Sequence, residues 1–199
     1  MYPCSTTQTR TRVGLAILVV VAAATAAPVS ILAQGVPNRD DAIEIRKQFL
    51  ADLDTLSSKF TALANAFPDD KYSWRPGPGV RSVGEVFLHV ASEYYVYVPL
   101  SYGANRSPVI PKGQGELAKF EKGSTKAEVL KHLAAGREYA ATALKGLDPN
   151  SLVGTKHVFG GDYTIVQLSF NDTDDLHEHL GQLIAYARMN GIAPPWSTK

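Results

Sequence analysis

Six apolar residues, Phe49, Leu53, Leu56, Phe60, Leu63 and Phe67, succeed one another at spacings of four, three, four, three and four. Only a helix puts all six on one side, because 3.6 residues per turn alternates threes and fours along one face. The stripe predicts an amphipathic helix of about seven turns, opening at Asp40 and Asp41 and ended by Pro68. A helix with one apolar face must bury it against other elements, so the rest of the chain has to supply them.

Three further segments do so. The Gly/Pro-dense run Tyr72-Ser-Trp-Arg-Pro-Gly-Pro-Gly79 is a loop. Ser82 with Glu85 forms a capping box that starts a second helix, with the stripe Val83, Val86, Phe87, Val90, Tyr94, Tyr97 and Val98. From Gly103 to Gly123, four Gly and two Pro with little periodicity predict a long crossover loop. Ser124 or Thr125 with Glu128 begins a third helix, turning Leu130, Leu133, Ala140, Leu144 and Leu147 inward and stopping before Pro149. Thr164 with Gln167 caps a fourth that reaches Asn190 and stops at Gly191 and Pro194. Val153 to Val158 can pair as a short strand. Four amphipathic helices and one long connection predict an all-α fold, a four-helix bundle with a long crossover loop.

The N-terminus has a different character. Arg10 and Arg12 precede an unbroken run of apolar or small residues from Val13 to Ala27, short of the ~20 residues that a spanning helix needs. It fits a secretory signal peptide over residues 1–33, cleaved after Ala33 or nearer Ala26, with a retained anchor as the other reading of the run. The predicted domain is residues 34–199, exported to the periplasm or beyond, with no stable membrane insertion once the signal is removed. Cleavage after Ala33 takes Arg10, Arg12 and Cys4 away, so the 20 Lys+Arg of the chain fall to 18 against 19 Asp+Glu. The near-neutral charge gives no footprint for nucleic acid. The mature domain has no cysteine, which excludes a disulfide scaffold, a thiolate nucleophile and thiolate metal ligands.

Polar residues interrupt the fourth stripe. Between Ile165 and Leu168 at one end and Leu183 and Tyr186 at the other, the three-four spacing passes through Asp172, Asp175 or Leu176, and His179. Asp175 and His179 lie one turn apart and can reach one point, whereas His177 faces away from His179. On the second helix His89 sits at the edge of the stripe, with Glu85 and Glu93 one turn to either side, either of which can orient it as a second-layer carboxylate. His89, Asp175 and His179 thus make a candidate three-ligand site between facing helices. The alternatives remain open: His89 as an ordinary boundary histidine, and Asp172 and Asp175 as helix-start charges. His132 and His157 are read as surface residues. Tyr94, Tyr95 and Tyr97 either line a pocket or belong to plain core.

Three groups of residues carry a resemblance. Trp74-Arg-Pro-Gly-Pro-Gly-Val-Arg-Ser82 with Glu85 and Leu88-His-Val90, then His179-Leu-Gly-Gln182 with Tyr186, Arg188 and Gly191, then Pro194-Pro-Trp-Ser197, resemble the DinB/YfiT-like superfamily of metal-dependent enzymes, in an exported branch. The likeness runs from Asp40 to Ser197. It implies a four-helix bundle with a divalent metal held by three His, one on the second helix and two, one turn apart, on the fourth. His89 matches the first and His179 the last, while the remaining position is Asp175, a departure that leaves two His and one carboxylate. Such a set suits Zn, Ni, Fe or Mn. The resemblance implies a hydrolase or transferase acting on a small-molecule substrate, the metal lowering the pKa of bound water or thiol, with Glu93 or Asp172 as base. Export weighs against thiol transfer, which draws on a reduced cytosolic thiol pool. A homodimer is the assembly admitted for such a bundle. A non-catalytic secreted bundle that binds a small ligand or partner is the competing class.

Overall fold

Asn38 caps the first helix, α1 (Arg39–Ala66), its side chain accepting from the backbone N–H groups of Asp40 and Asp41. A computed structural model describes Val36, residues 38–123 and residues 125–197 of the chain. Residues 1–33, expected to be a signal peptide, and Ser124 lie outside those residues. The predicted stripe is buried along its whole length, from Phe49 to Phe67.

The capping boxes at Ser82, Thr125 and Thr164 are all formed. They open α2 (Val83–Tyr95), then, after two short helices α3 (Tyr97–Ser101) and α4 (Glu116–Phe120), α5 (Lys126–Lys145) and finally α6 (Ile165–Met189). α6 ends on Gly191 at φ 72°, with Ile192 N–H on the Ala187 carbonyl, a left-handed helix stop that favours glycine.

The second helix is shorter than its stripe predicts. It breaks at Val96 and resumes as α3, and the cause is Pro99, which has no N–H to give the Tyr95 carbonyl. That carbonyl accepts instead from Ser107 N–H at 2.7 Å, which ties the start of the crossover to the end of α2. The crossover itself carries α4, an element its sequence did not announce. Between α5 and α6 the expected single strand is half of a hairpin, β1 (Thr155–Val158) against β2 (Gly161–Thr164) in antiparallel register. Its two-residue turn is Phe159-Gly160, with φ of 53° and 79°.

α1 and α2 each pack on both α5 and α6. Around the bundle the order is therefore α1, α5, α2, α6, with α1 opposite α2 and α5 opposite α6. α2 is buried on nearly every side, including Glu85, Ser92 and Glu93, as is its cap Ser82. A helix buried all round is expected to be apolar. The carboxylates it carries therefore need an explanation from their surroundings. Among the described residues no helix is long and apolar enough to cross a membrane.

A candidate metal centre between two helices

α2 and α6 bring His89, Glu93 and His179 together. One ligating atom from each lies within 4.8 Å of the other two. His89 Nε2 is 3.2 Å and His179 Nε2 3.1 Å from the same oxygen, Glu93 Oε1, and the two rings meet edge to face with centroids 4.6 Å apart. Glu93 is 3% exposed, and neither of its oxygens has a partner in hydrogen-bonding geometry. Burial pushes the Glu93 carboxyl above its ordinary range against the lowering pull of the facing imidazoles. For His179, burial works toward the neutral ring, but Glu93, Asp175 and Gln182 together raise it.

The expected residues fall into place unequally. His89 and His179 converge as the spacing predicts, and Glu93, expected as a base or an orienting carboxylate, points its oxygen between them. Asp175 stands outside the three-residue set: its Oδ1 is 3.6 Å from His179 Nε2 and its side chain is 56% exposed. The choice left open between Asp175 and Leu176 goes to Leu176, which is buried beside Leu180, so Asp175 sits on the flank of α6 rather than its seam. Asp172 is half-buried; its Oδ1 accepts from Ser101 Oγ at 3.0 Å, and its Oδ2 is shielded from solvent with no hydrogen-bond partner. Burial, with Glu93 and Asp175 nearby, moves its pKa up to about 7. His177 faces away, its Nδ1 at 2.9 Å from the Thr173 carbonyl. His157 is exposed, as read. His132 is half-buried rather than a free surface residue: it packs edge-on against Phe120 and Tyr95.

A second layer holds the imidazoles. His89 Nδ1 lies 2.7 Å from Glu121 Oε1, and Arg81 Nη2 donates to Glu121 Oε2 at 3.2 Å. Burial pushes the Glu121 carboxyl up, but His89 and Arg81 outweigh it, and the group is held below the ordinary carboxylate range. Glu85, the sequence's other candidate for this place, is committed to the Ser82 cap, Arg75 and Lys122. Glu121 was not foreseen, because it lies 32 residues from His89 in a segment without periodicity. On the other helix His179 Nδ1 faces Gln182 Oε1 at 3.4 Å, and Gln182 in turn bonds Tyr186, which stacks edge-on against Trp74. The resembling residues of the loop and of the fourth helix thus meet in one place.

Beside the cluster a recess of about 330 Å³ is lined by Tyr97, Phe159, Asn171, Asp172 and Asp175. Of the three tyrosines, Tyr97 reaches it, whereas Tyr94 is core and Tyr95 packs in a separate apolar cluster with Ile110.

A cation fits this arrangement. Two neutral imidazole nitrogens and a carboxylate are a ligand set for zinc and its neighbours in the first transition row. Bonds of about 2 Å to one ion require ligand atoms about as close as these are. A buried carboxylate with no hydrogen-bond partner is costly unless a charge compensates it.

Residues 52–166, more than half of the chain, match the sequence model of the DinB superfamily. The matched span includes His89 and Glu93 and stops before His179. Among solved structures the chain is similar to a DinB-like protein from Bacillus subtilis, with a TM-score of 0.56 and 19% identity over 72% of this chain and 92% of that one. At that identity the likeness speaks for the fold. No curated protein matches the chain.

Proposed function

We propose a metal-dependent activity from a plain premise: this chain belongs to the DinB superfamily. In this reading a divalent ion, Zn, Ni, Fe or Mn, is held between α2 and α6 by His89, His179 and Glu93. Asp175, 3.6 Å from His179 Nε2 and largely exposed on the flank of α6, stands beside the set rather than in it. The observation that carries the reading is Glu93, whose two buried oxygens lack hydrogen-bond partners while two imidazole Nε2 atoms face one of them. An ionised carboxylate so placed costs several kcal/mol unless compensated. A dication between these three groups offsets that cost.

Bound there, such an ion supplies Lewis acidity for a hydrolase or transferase reaction. The chain's own residues supply the rest. Asp172, with its pKa moved to about 7, can take up or return a proton near neutrality. Tyr97 and Phe159 give the recess apolar lining together with Asp172 and Asp175, so a small molecule entering there meets a proton acceptor as well as aromatic rings. We further propose that the domain works outside the cytosol, on the strength of Arg10, Arg12 and the apolar run after them. That location favours hydrolysis over transfer of a cytosolic thiol. N-terminal sequencing of the protein recovered from culture supernatant or periplasm should begin after Ala33, and recovery of an intact Met1 chain from the cytosol alone speaks against export.

Metal content tests the core of the reading. Protein stripped, reloaded with zinc and desalted should retain one equivalent, and His89→Ala should lose it. If far less than one equivalent is retained, the non-catalytic ligand-binding bundle stands in its place.

A further inference from the structure

The two imidazoles are held by a chain of hydrogen bonds that begins and ends on a single residue. Arg81 lies in the loop before α2, in the stretch shared with the Trp74 motif, and its two polar ends point in different directions. Its guanidinium meets Glu121, which meets His89. Its backbone carbonyl meets Tyr186, which meets Gln182 and then His179. We infer that Arg81 sets the tautomer of both histidines, through Glu121 on one side and through Tyr186 and Gln182 on the other, so that both turn an unprotonated Nε2 toward Glu93. The inference rests on the metal reading of His89, Glu93 and His179, and assigns Arg81, Glu121, Gln182 and Tyr186 as positioning residues for it.

The donor and acceptor roles follow from what each group is able to do. A guanidinium has no acceptor, so Arg81 Nη2 donates to Glu121 Oε2 at 3.2 Å. That bond holds Glu121 in place against His89, and a carboxylate only accepts. The 2.7 Å contact between Glu121 Oε1 and His89 Nδ1 therefore carries the proton on the ring nitrogen. A neutral imidazole has one N–H, so His89 Nε2 is left with its lone pair.

The other arm runs the same way from the opposite kind of group. The Arg81 carbonyl only accepts, so the Tyr186 hydroxyl at 3.2 Å spends its one proton there. Tyr186 must then accept from Gln182 Nε2 at 2.9 Å. The far end of that amide is the oxygen, and it faces His179 Nδ1 at 3.4 Å, which has to donate. The network thus assigns the amide orientation and the ring tautomer together. Both Nε2 atoms face Glu93 Oε1, at 3.2 and 3.1 Å.

Two substitutions separate the arms. Arg81→Met removes the guanidinium and keeps the carbonyl, whereas Tyr186→Phe removes the hydroxyl and keeps the ring against Trp74. Nitrogen NMR of the metal-free wild type at about pH 9, where imidazoles are neutral, should show Nδ1–H on both histidines. Arg81→Met should release His89 to a tautomer mixture and leave His179 as it was, and Tyr186→Phe should do the reverse. Each should weaken zinc binding about 10- to 100-fold. Glu121→Gln, close in shape to the native side chain, should act on His89 alone and replaces Arg81→Met if that variant does not fold. Nε2–H on either wild-type histidine overturns the inference. So does a pair of variants that leave the tautomers unchanged, or that shift both rings together with the melting temperature. A wild type that binds no zinc overturns the metal reading instead, and the metal-free spectra still decide the tautomers.

Discussion

Asp172 shows how a single buried carboxyl can act against the stability of the fold. Its unfolded-state pKa is about 3.9, against about 7 in the native protein. Below about pH 4 both states hold the proton and the residue does not affect the folding equilibrium. Between about pH 4 and 7 the unfolded chain releases the proton while the folded chain retains it, so stability is lost progressively as pH rises, and above about 7 the penalty is constant. Asp172→Asn keeps an acceptor for Ser101 and removes the ionisation. It should raise the melting temperature of metal-free protein, with a gain that grows from pH 4 to 7 and then levels, as calorimetry across that range will show. A flat difference would mean the carboxyl titrates normally. Residues of this kind are commonly stabilised by removing the functional group.

At the scale of elements, local signals determine where the helices begin, and a hairpin shapes the recess. The three capping boxes are complete, and Ser82→Ala or Thr164→Ala should each cost about 1 kcal/mol, read as a melting temperature lower by about 2–4 °C. Ser82 matters beyond that sum, because it fixes the start of the helix that carries His89 and Glu93. The β1–β2 turn has positive φ at both central residues, the condition of a type I′ turn, which favours Asn-Gly. Phe159 occupies the first of them at φ 53°, where a side chain costs about 1–2 kcal/mol. Phe159 is 58% exposed and packs near Tyr97, so little buried area offsets the strain. Phe159→Asn should therefore raise the melting temperature while removing one wall of the recess. A lower melting temperature would show that the Tyr97 contact outweighs the backbone cost.

Across the whole molecule, α2 and α5 approach closely at Gly136, where a Cβ would lie 3.1 Å from both the Ala91 carbonyl oxygen and Tyr94 Cβ. Gly136→Val has to push the helices apart, and overpacking of this kind costs about 1–3 kcal/mol; urea unfolding of the variant measures it, and unchanged stability would show that the helices can yield. The bundle was legible in the sequence because its determinants are local: stripes at three-four spacing, three capping boxes and Gly191 after the last helix. Pro99 was equally visible, yet the second stripe runs unbroken as far as Val98 beside it, and only the loss of an N–H to Tyr95 separates α2 from α3. The site was half legible. His89 and His179 stand at computable helix positions, but a stripe about 100° wide holds Asp175 and Leu176 alike. Glu121 reaches His89 from the aperiodic crossover, where no spacing predicts a contact, and Phe159 is not a residue that announces a turn.

Zinc titration by calorimetry of three proteins, the wild type, Glu93→Ala and Asp175→Ala, bears most directly on the centre between α2 and α6. One equivalent should bind to the wild type, Glu93→Ala should lose more than about 100-fold in affinity, beyond what removal of an outer partner causes, and Asp175→Ala should lose less than about tenfold. Retained affinity in Glu93→Ala together with abolished binding in Asp175→Ala would contradict the ligand set, moving the third ligand from α2 to the flank of α6.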